Sequence, residues 1–125
     1  MSFGAGAVLC LPGTADAYND KALRASAGAA FGMKVVGVTW DEARGELTGR
    51  GFRLVATVPR SGVVPQDLDW NGRVCLMIGG EGAGLTKELA ESADVRVSIA
   101  MAHELESLNA AVAAAILLYE AARRR

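Results

Sequence analysis

Arg73-Val74-Cys75-Leu76-Met77-Ile78-Gly79-Gly80-Glu81-Gly82-Ala83-Gly84-Leu85-Thr86 passes from an apolar run into four glycines within six residues, and then to a threonine suited to start a helix. The run is short and rich in β-formers, so it reads as a buried strand over Arg73 to Ile78, and the segment from about Thr86 to Glu91 reads as a short helix. A loop between a strand and a helix lies where open α/β sheets bind ligands, beyond the C-terminal end of the strand. Glycines there let a ligand approach the backbone and accept positive φ without steric cost. A phosphate cradle of the G-x-x-x-x-G-K-[ST] type matches Gly79, Gly84 and Thr86, but Leu85 occupies the lysine position and Glu81 brings a negative charge among the phosphates. The pattern G-x-G-x-x-G fails as well, because Gly80 and Gly82 are followed by Leu85. The loop is built for a ligand other than a triphosphate, or is a glycine-rich turn with no ligand at all.

Working outward, β-rich runs alternate with helical segments, which predicts one α/β domain over residues 1–125 with a mainly parallel sheet flanked by helices. Strands are predicted at Val8 to Leu11, Lys34 to Thr39, Arg53 to Thr57 and Val95 to Ile99, besides the one above. A helix is predicted from about Asn19, a good cap, to Phe31. A second follows a Thr39 or Asp41 cap and leaves at Gly49 or Gly51. Val58 to Gly72, with Pro59, Gly62, Pro65 and Asp67-Leu68-Asp69, is too broken for regular structure and reads as a surface connection. The last helix, from about Ser107 to Arg123, carries Leu108, Ala111, Val112, Ala115, Ile116 and Tyr119 on one face and Ala113, Ala114, Leu117 and Leu118 on the other. A helix apolar all round must be covered on both sides, which predicts a homodimer; the plainer alternative is an alanine-rich helix with an exposed apolar flank.

Composition narrows the chemistry. Hydrophobic residues make up 51% of the 125 and charged ones 22%, and at this length roughly two-thirds of the unfolded chain's surface is buried on folding. No apolar run reaches the ~18 residues of a membrane span. Ala5 to Leu11 is too short for a signal segment and lacks a basic flank, so the expected location is the cytoplasm. Cys10 and Cys75 sit in apolar runs without metal-ligand spacing and read as reduced thiols. With a single histidine, His103, no metal site is expected. The net charge of −1 neither supports nor excludes an acidic partner, because charge totals say nothing of its distribution.

A second constellation joins Ile99-Ala100-Met101 to Glu106-Ser107-Leu108-Asn109 at the opening of the last helix. Ser107 is a good cap, and Asn109 is out of place in an alanine-rich helix unless its amide serves a ligand or substrate. The loop Gly79 to Leu85 resembles the second motif of the SpoU branch of the SPOUT methyltransferases, and Ile99-Ala100-Met101 through Ser107-Leu108-Asn109-Ala110-Ala111-Val112-Ala113 resembles the third. Asn19 to Gly28 is similar to the family's segment between its first and second motifs. Gly80, where asparagine, serine or alanine is frequent, and Ala100, in place of a frequent proline, depart from the pattern without removing a functional group.

The resemblance implies a SPOUT-type fold with a C-terminal trefoil knot, a homodimer, and S-adenosyl-L-methionine as cofactor. By position, the cofactor would meet Thr57, Gly79, Gly80, Ile99, Met101 and Leu108, while Glu81, Ser107 and Asn109 would serve catalysis or the incoming ribose. The implied reaction is methylation of a ribose 2′-hydroxyl in tRNA or rRNA, with Lys21 and Arg24, three residues apart on one helix, as candidates for RNA phosphate contact. The family's first motif supplies an asparagine and an arginine. Met1-Ser2-Phe3-Gly4-Ala5-Gly6-Ala7 resembles the stretch just after that arginine, so the domain is expected to be truncated at its N-terminus. The alternatives are a dimeric cofactor- or RNA-binding module without turnover, and an unrelated nucleotide-binding α/β module.

Overall fold

The structure is a computed structural model and describes residues 2–102 and 108–125. It divides into two compact units, Met1–Glu46 and Leu47–Arg125. The first holds β1 (Ala7–Cys10), α1 (Asp20–Ala25), α2 (Ala29–Gly32) and β2 (Lys34–Gly37). β1 and β2 pair in parallel, Ala7 opposite Lys34 and Cys10 opposite Gly37. Asn19 caps α1 by accepting from the Ala22 amide at 2.8 Å. The helix does not continue to Phe31 as predicted. Ala27 and Gly28 take left-handed φ values of 48° and 84°, and two such residues in succession cannot prolong a right-handed helix. The strands of this unit are also less covered than expected: Val8 and Leu9 are 43% and 39% exposed. Both faces of a parallel sheet need cover, and helices of six and four residues supply little. Cys10 is half-buried, as is Cys75 in the second unit, and neither is in a disulfide; burial raises the Cys75 thiol above its ordinary pKa.

α3 (Trp40–Gly49) opens with a capping box. Thr39 Oγ1 accepts from the Glu42 amide at 3.3 Å, and the Glu42 carboxylate accepts from the Thr39 amide at 3.1 Å. The Thr39 amide, and after it the Thr39 side chain, hydrogen-bonds the carboxylate and holds Glu42 below the usual carboxylate range. The chain leaves through Gly51 at φ 73°.

In the second unit β3 (Arg53–Thr57), β4 (Val74–Met77) and β5 (Val95–Val97) form a parallel sheet in the order β4-β3-β5. Central β3 buries Leu54, Val55 and Ala56 in succession, as expected of a parallel strand covered on both faces. α4 (Lys87–Glu91) starts at Thr86, whose hydroxyl accepts from the Leu89 amide at 3.2 Å. α5 (Ala110–Arg124) starts at the Asn109 cap, later than predicted; the cap expected at Ser107 lies outside the described residues. The core gathers Val55, Leu68, Trp70, Val97, Leu117 and Ala121, each large side chain contributing about 1.5–3 kcal/mol by leaving water.

Two residues of that core correct the reading of Val58 to Gly72 as a surface connection. The stretch is irregular, yet Leu68 is buried, Trp70 is 2% exposed, and the indole Nε1 donates to the Pro65 carbonyl at 2.9 Å. Its apolar residues follow no period, so pattern reading cannot place them. On α5 the two predicted faces separate: Leu117 and Ala121 enter the core, while Val112, Ile116 and Tyr119 remain 47%, 36% and 52% exposed. Among the described residues no helix is long and apolar enough to cross a membrane.

Replacing Trp70 by Phe keeps most of the buried ring and orphans the Pro65 carbonyl, so it should cost about 1–3 kcal/mol in urea unfolding; a loss under about 0.5 kcal/mol would remove that bond from the account of the core. Glu120 near the end of α5 is 9% exposed and accepts from Arg124 at 2.9 Å and Arg123 at 3.1 Å. The bond from Arg124, then that from Arg123, holds its pKa below the ordinary value. A carboxylate depressed in the folded state stabilises fully above the unfolded pKa and loses this contribution as pH falls through the folded one. The gap in unfolding midpoint between the protein and Glu120→Gln should therefore close on acidification below the ordinary glutamate range. A gap independent of pH there would contradict the ion pair.

Candidate cofactor site

β3, β4 and β5 all end at one cavity of about 220 Å³, bounded by the glycine loop and the start of α5. It stands at the C-terminal ends of parallel strands, where such sheets bind ligands. Thr57, Gly79, Gly80, Glu81, Ile99, Met101 and Leu108, predicted separately from the sequence, all line it. Lys21 and Arg24 do not; both are exposed on α1 in the first unit. Ser107 lies outside the described residues.

The glycines of the loop have different jobs. A Cβ on Gly79 would lie 2.2 Å from the Gly84 carbonyl carbon and the Leu85 nitrogen, so only glycine permits the loop to fold back on itself. Gly80 bridges to Gly84, whose amide donates to the Gly80 carbonyl at 3.0 Å. Gly82 and Gly84 have φ of 85° and 67°, a region that L side chains resist. Gly80 has open space where a Cβ would stand, so the loop itself does not require glycine there.

Thr57 Oγ1 donates to the Met77 carbonyl at 2.9 Å. Its hydroxyl proton is thus engaged in holding the ends of β3 and β4 together, and a ligand would meet the backbone or the oxygen lone pair. Asn109 has three partners. Its Oδ1 accepts from the Ala111 and Val112 amides at 2.9 and 3.3 Å, which caps α5, and its Nδ2 donates to the Glu81 carboxylate. Asparagine is poor inside a helix but among the best at its cap, which explains the residue that the sequence left out of place. The same side chain ties the glycine loop to the helix.

Sequence reasoning missed several lining residues. Val58 and Pro59 belong to the stretch read as a connection, although standing directly beyond a strand end was a usable signal. Leu117 was read only as packing, and Ala113, although within the stretch that resembles the third motif, was assigned no contact. Among the described lining residues Glu81 is the only charged one, and none is basic. An apolar cavity edged by glycine backbone and one carboxylate suits an aromatic base and a cationic group, and disfavours a polyphosphate.

The profile of the SpoU rRNA Methylase family matches residues 1–119. The chain is 37% identical over 116 residues to the 23S rRNA (guanosine(2553)-2′-O)-methyltransferase RlmP of Bacillus subtilis, covering 93% of this chain and 47% of that protein. It is 37% identical over 131 residues to the 23S rRNA (uridine(2479)-2′-O)-methyltransferase of Streptomyces viridochromogenes, with 99% and 45% covered. The chain thus spans about half the length of these curated relatives. Among solved structures, the SpoU methyltransferase AviRb from Streptomyces viridochromogenes in complex with AdoMet superposes with a TM-score of 0.92 at 36% identity, over 99% of this chain and 49% of that one. The AdoMet-bound rRNA methyltransferase from Sinorhizobium meliloti gives 0.91 at 30% identity, over 98% and 47%. With the motif positions gathered at one cavity and the profile spanning nearly the whole chain, the protein belongs to the SpoU rRNA methylase family.

Proposed function

We propose that residues 1–125 form a single SpoU methyltransferase domain that binds S-adenosyl-L-methionine in the cavity beyond β3, β4 and β5 and takes part in methylating a ribose 2′-hydroxyl of RNA. The observation that carries this is the convergence of the glycine loop and the α5 cap, through Glu81 and Asn109, on an apolar cavity without a basic lining residue among those described. When bound, the cofactor supplies a methyl group on a sulfonium, already electrophilic. The protein's task is alignment of the two reactants and assistance to the departing hydroxyl proton. Ile99, Met101 and Leu108 offer apolar walls for the adenosine, Gly80 leaves its backbone open to approach, and Glu81 and Asn109 are assigned to the incoming ribose, a role the family resemblance extends to Ser107.

The assigned substrate class, tRNA or rRNA, is supported by relatives named for 23S rRNA and for tRNA/rRNA, and Lys21 and Arg24 on exposed α1 are assigned to phosphate contact. A homodimer is supported by the exposed Val112, Ile116 and Tyr119 of α5, four and three residues apart on one face. A C-terminal trefoil knot is assigned on the family resemblance, supported by the family profile over residues 1–119. The cytoplasm, where RNA is modified, is the assigned location.

Isothermal titration should detect S-adenosylhomocysteine binding and no heat for ATP; a folded protein with no response at millimolar S-adenosylhomocysteine would overturn the assignment. Asn109→Ser keeps a cap acceptor but removes the donor to Glu81. It should unfold within about 0.5 kcal/mol of the parent and bind S-adenosylhomocysteine several-fold more weakly, whereas Asn109→Ala should lose a further ~1 kcal/mol of stability. Unchanged affinity in Asn109→Ser would remove the tether from the site.

A further inference from the structure

Ser98 stands between two lining residues of the cavity, Val97 and Ile99, and its hydroxyl is occupied elsewhere. It accepts from the Gly62 amide at 3.0 Å and donates to the Gly62 carbonyl at 3.1 Å, so one side chain satisfies both backbone groups of one residue. Around it, the Val63 amide donates to the Arg96 carbonyl at 2.8 Å, the Ser98 amide donates to the Val63 carbonyl at 3.1 Å, and the Val58 amide donates to the Val97 carbonyl at 2.9 Å. A Cβ on Gly62 would lie 2.6 Å from the Ser98 nitrogen and the Val97 carbonyl carbon. Glycine is therefore what lets the segment that follows β3, a strap running to Val63, lie directly on the backbone of β5. The strap begins with Thr57, Val58 and Pro59, which line the cavity.

We propose that Ser98 and Gly62 form a clamp that sets the Thr57–Pro59 wall of the cavity against β5, making Ser98 a positioning residue for the cofactor although its hydroxyl bonds to the strap. The physical reason is the short tether. Only Arg60 and Ser61 separate the wall from the clamp, and Ser61 sits at a left-handed φ of 62°, a conformation that a serine holds only when its neighbours over-determine it. Loss of the Ser98 hydroxyl removes both Gly62 bonds, which loosens the stretch between the Val58 bond to Val97 and the Val63 bonds to Arg96 and Ser98. The ligand then meets an unorganised surface and must order it on binding, which weakens affinity.

The inference rests on the assigned cofactor, and the test separates the two. Ser98→Ala is compared with the parent and with Trp70→Phe, a core variant whose lost bond, to the Pro65 carbonyl, lies outside the cavity lining, by amide hydrogen exchange, thermal unfolding and S-adenosylhomocysteine titration. The Val58 and Gly62 amides should exchange at least about tenfold faster in Ser98→Ala, and affinity should fall roughly five- to tenfold. Trp70→Phe should lower the unfolding midpoint at least as much while holding affinity within about twofold. Affinity within twofold of the parent in Ser98→Ala, or an equal loss in Trp70→Phe, would overturn the clamp. Should the folded parent itself fail to bind S-adenosylhomocysteine, the cofactor assignment falls, and the clamp stands or falls on Val58: protection unchanged in Ser98→Ala refutes it.

Discussion

β5 is three residues long, yet it is bonded along both edges, and the cavity exists because of this. On one edge Val55, Ala56 and Thr57 of β3 face Val95, Arg96 and Val97; on the other, Val63 bridges to Val97. A strand so short gains little from its own ladder, but one held from two sides becomes the fixed floor on which a wall can be hung. Val97 at its C-terminal end is 1% exposed, so the same residue anchors the core below and the site above. The irregular chain between β3 and β4 is therefore structural as well as connective: it returns Leu68 and Trp70 to the core and lays its first residues along the ligand space.

Two close backbone approaches permit this arrangement, and both depend on glycine for steric reasons. Gly62 lies on β5, and Gly79 lies on the far side of its own loop. At neither position does a ligand demand the glycine; the protein's own chain does. Gly80 is the contrasting case, with open space around it, and the freedom there serves approach from outside. A glycine-rich loop thus combines self-packing with accessibility, and only the former is a strict requirement of the fold.

Electrostatics complements the shape. A cavity with apolar walls raises the weight of any charge at its edge, and the one present among the described lining residues is Glu81, fastened to the Asn109 amide. Asn109 links helix start and loop with one planar group, its oxygen directed to the α5 amides and its nitrogen to the carboxylate. A substitution that serves only one of these partners breaks the connection, which gives this position a chemical constraint beyond helix capping.

Much of this was legible in the residues alone, because local rules act over a few positions. Asn19, Thr39 and Thr86 announced helix starts, the apolar runs announced β3 and β4, and the glycine loop announced a ligand site at a strand end. Seven predicted positions around the cavity were named before any of them could be seen to meet. What escaped is what no local rule encodes. The helix through Gly28 breaks because Ala27 and Gly28 turn left-handed, a choice that alanine does not advertise. Asn109 looked misplaced because its helix begins one residue later, a boundary set by its bond geometry. Trp70, Gly62 and Ser98 lie in or against a stretch without period, and their partners at Pro65 and across the sheet are set by how the chain returns on itself. Periodicity and capping chemistry determined which elements form; only the tertiary structure decided which edge of β5 the strap covers, because that contact joins residues more than thirty positions apart and exists only once the chain has folded.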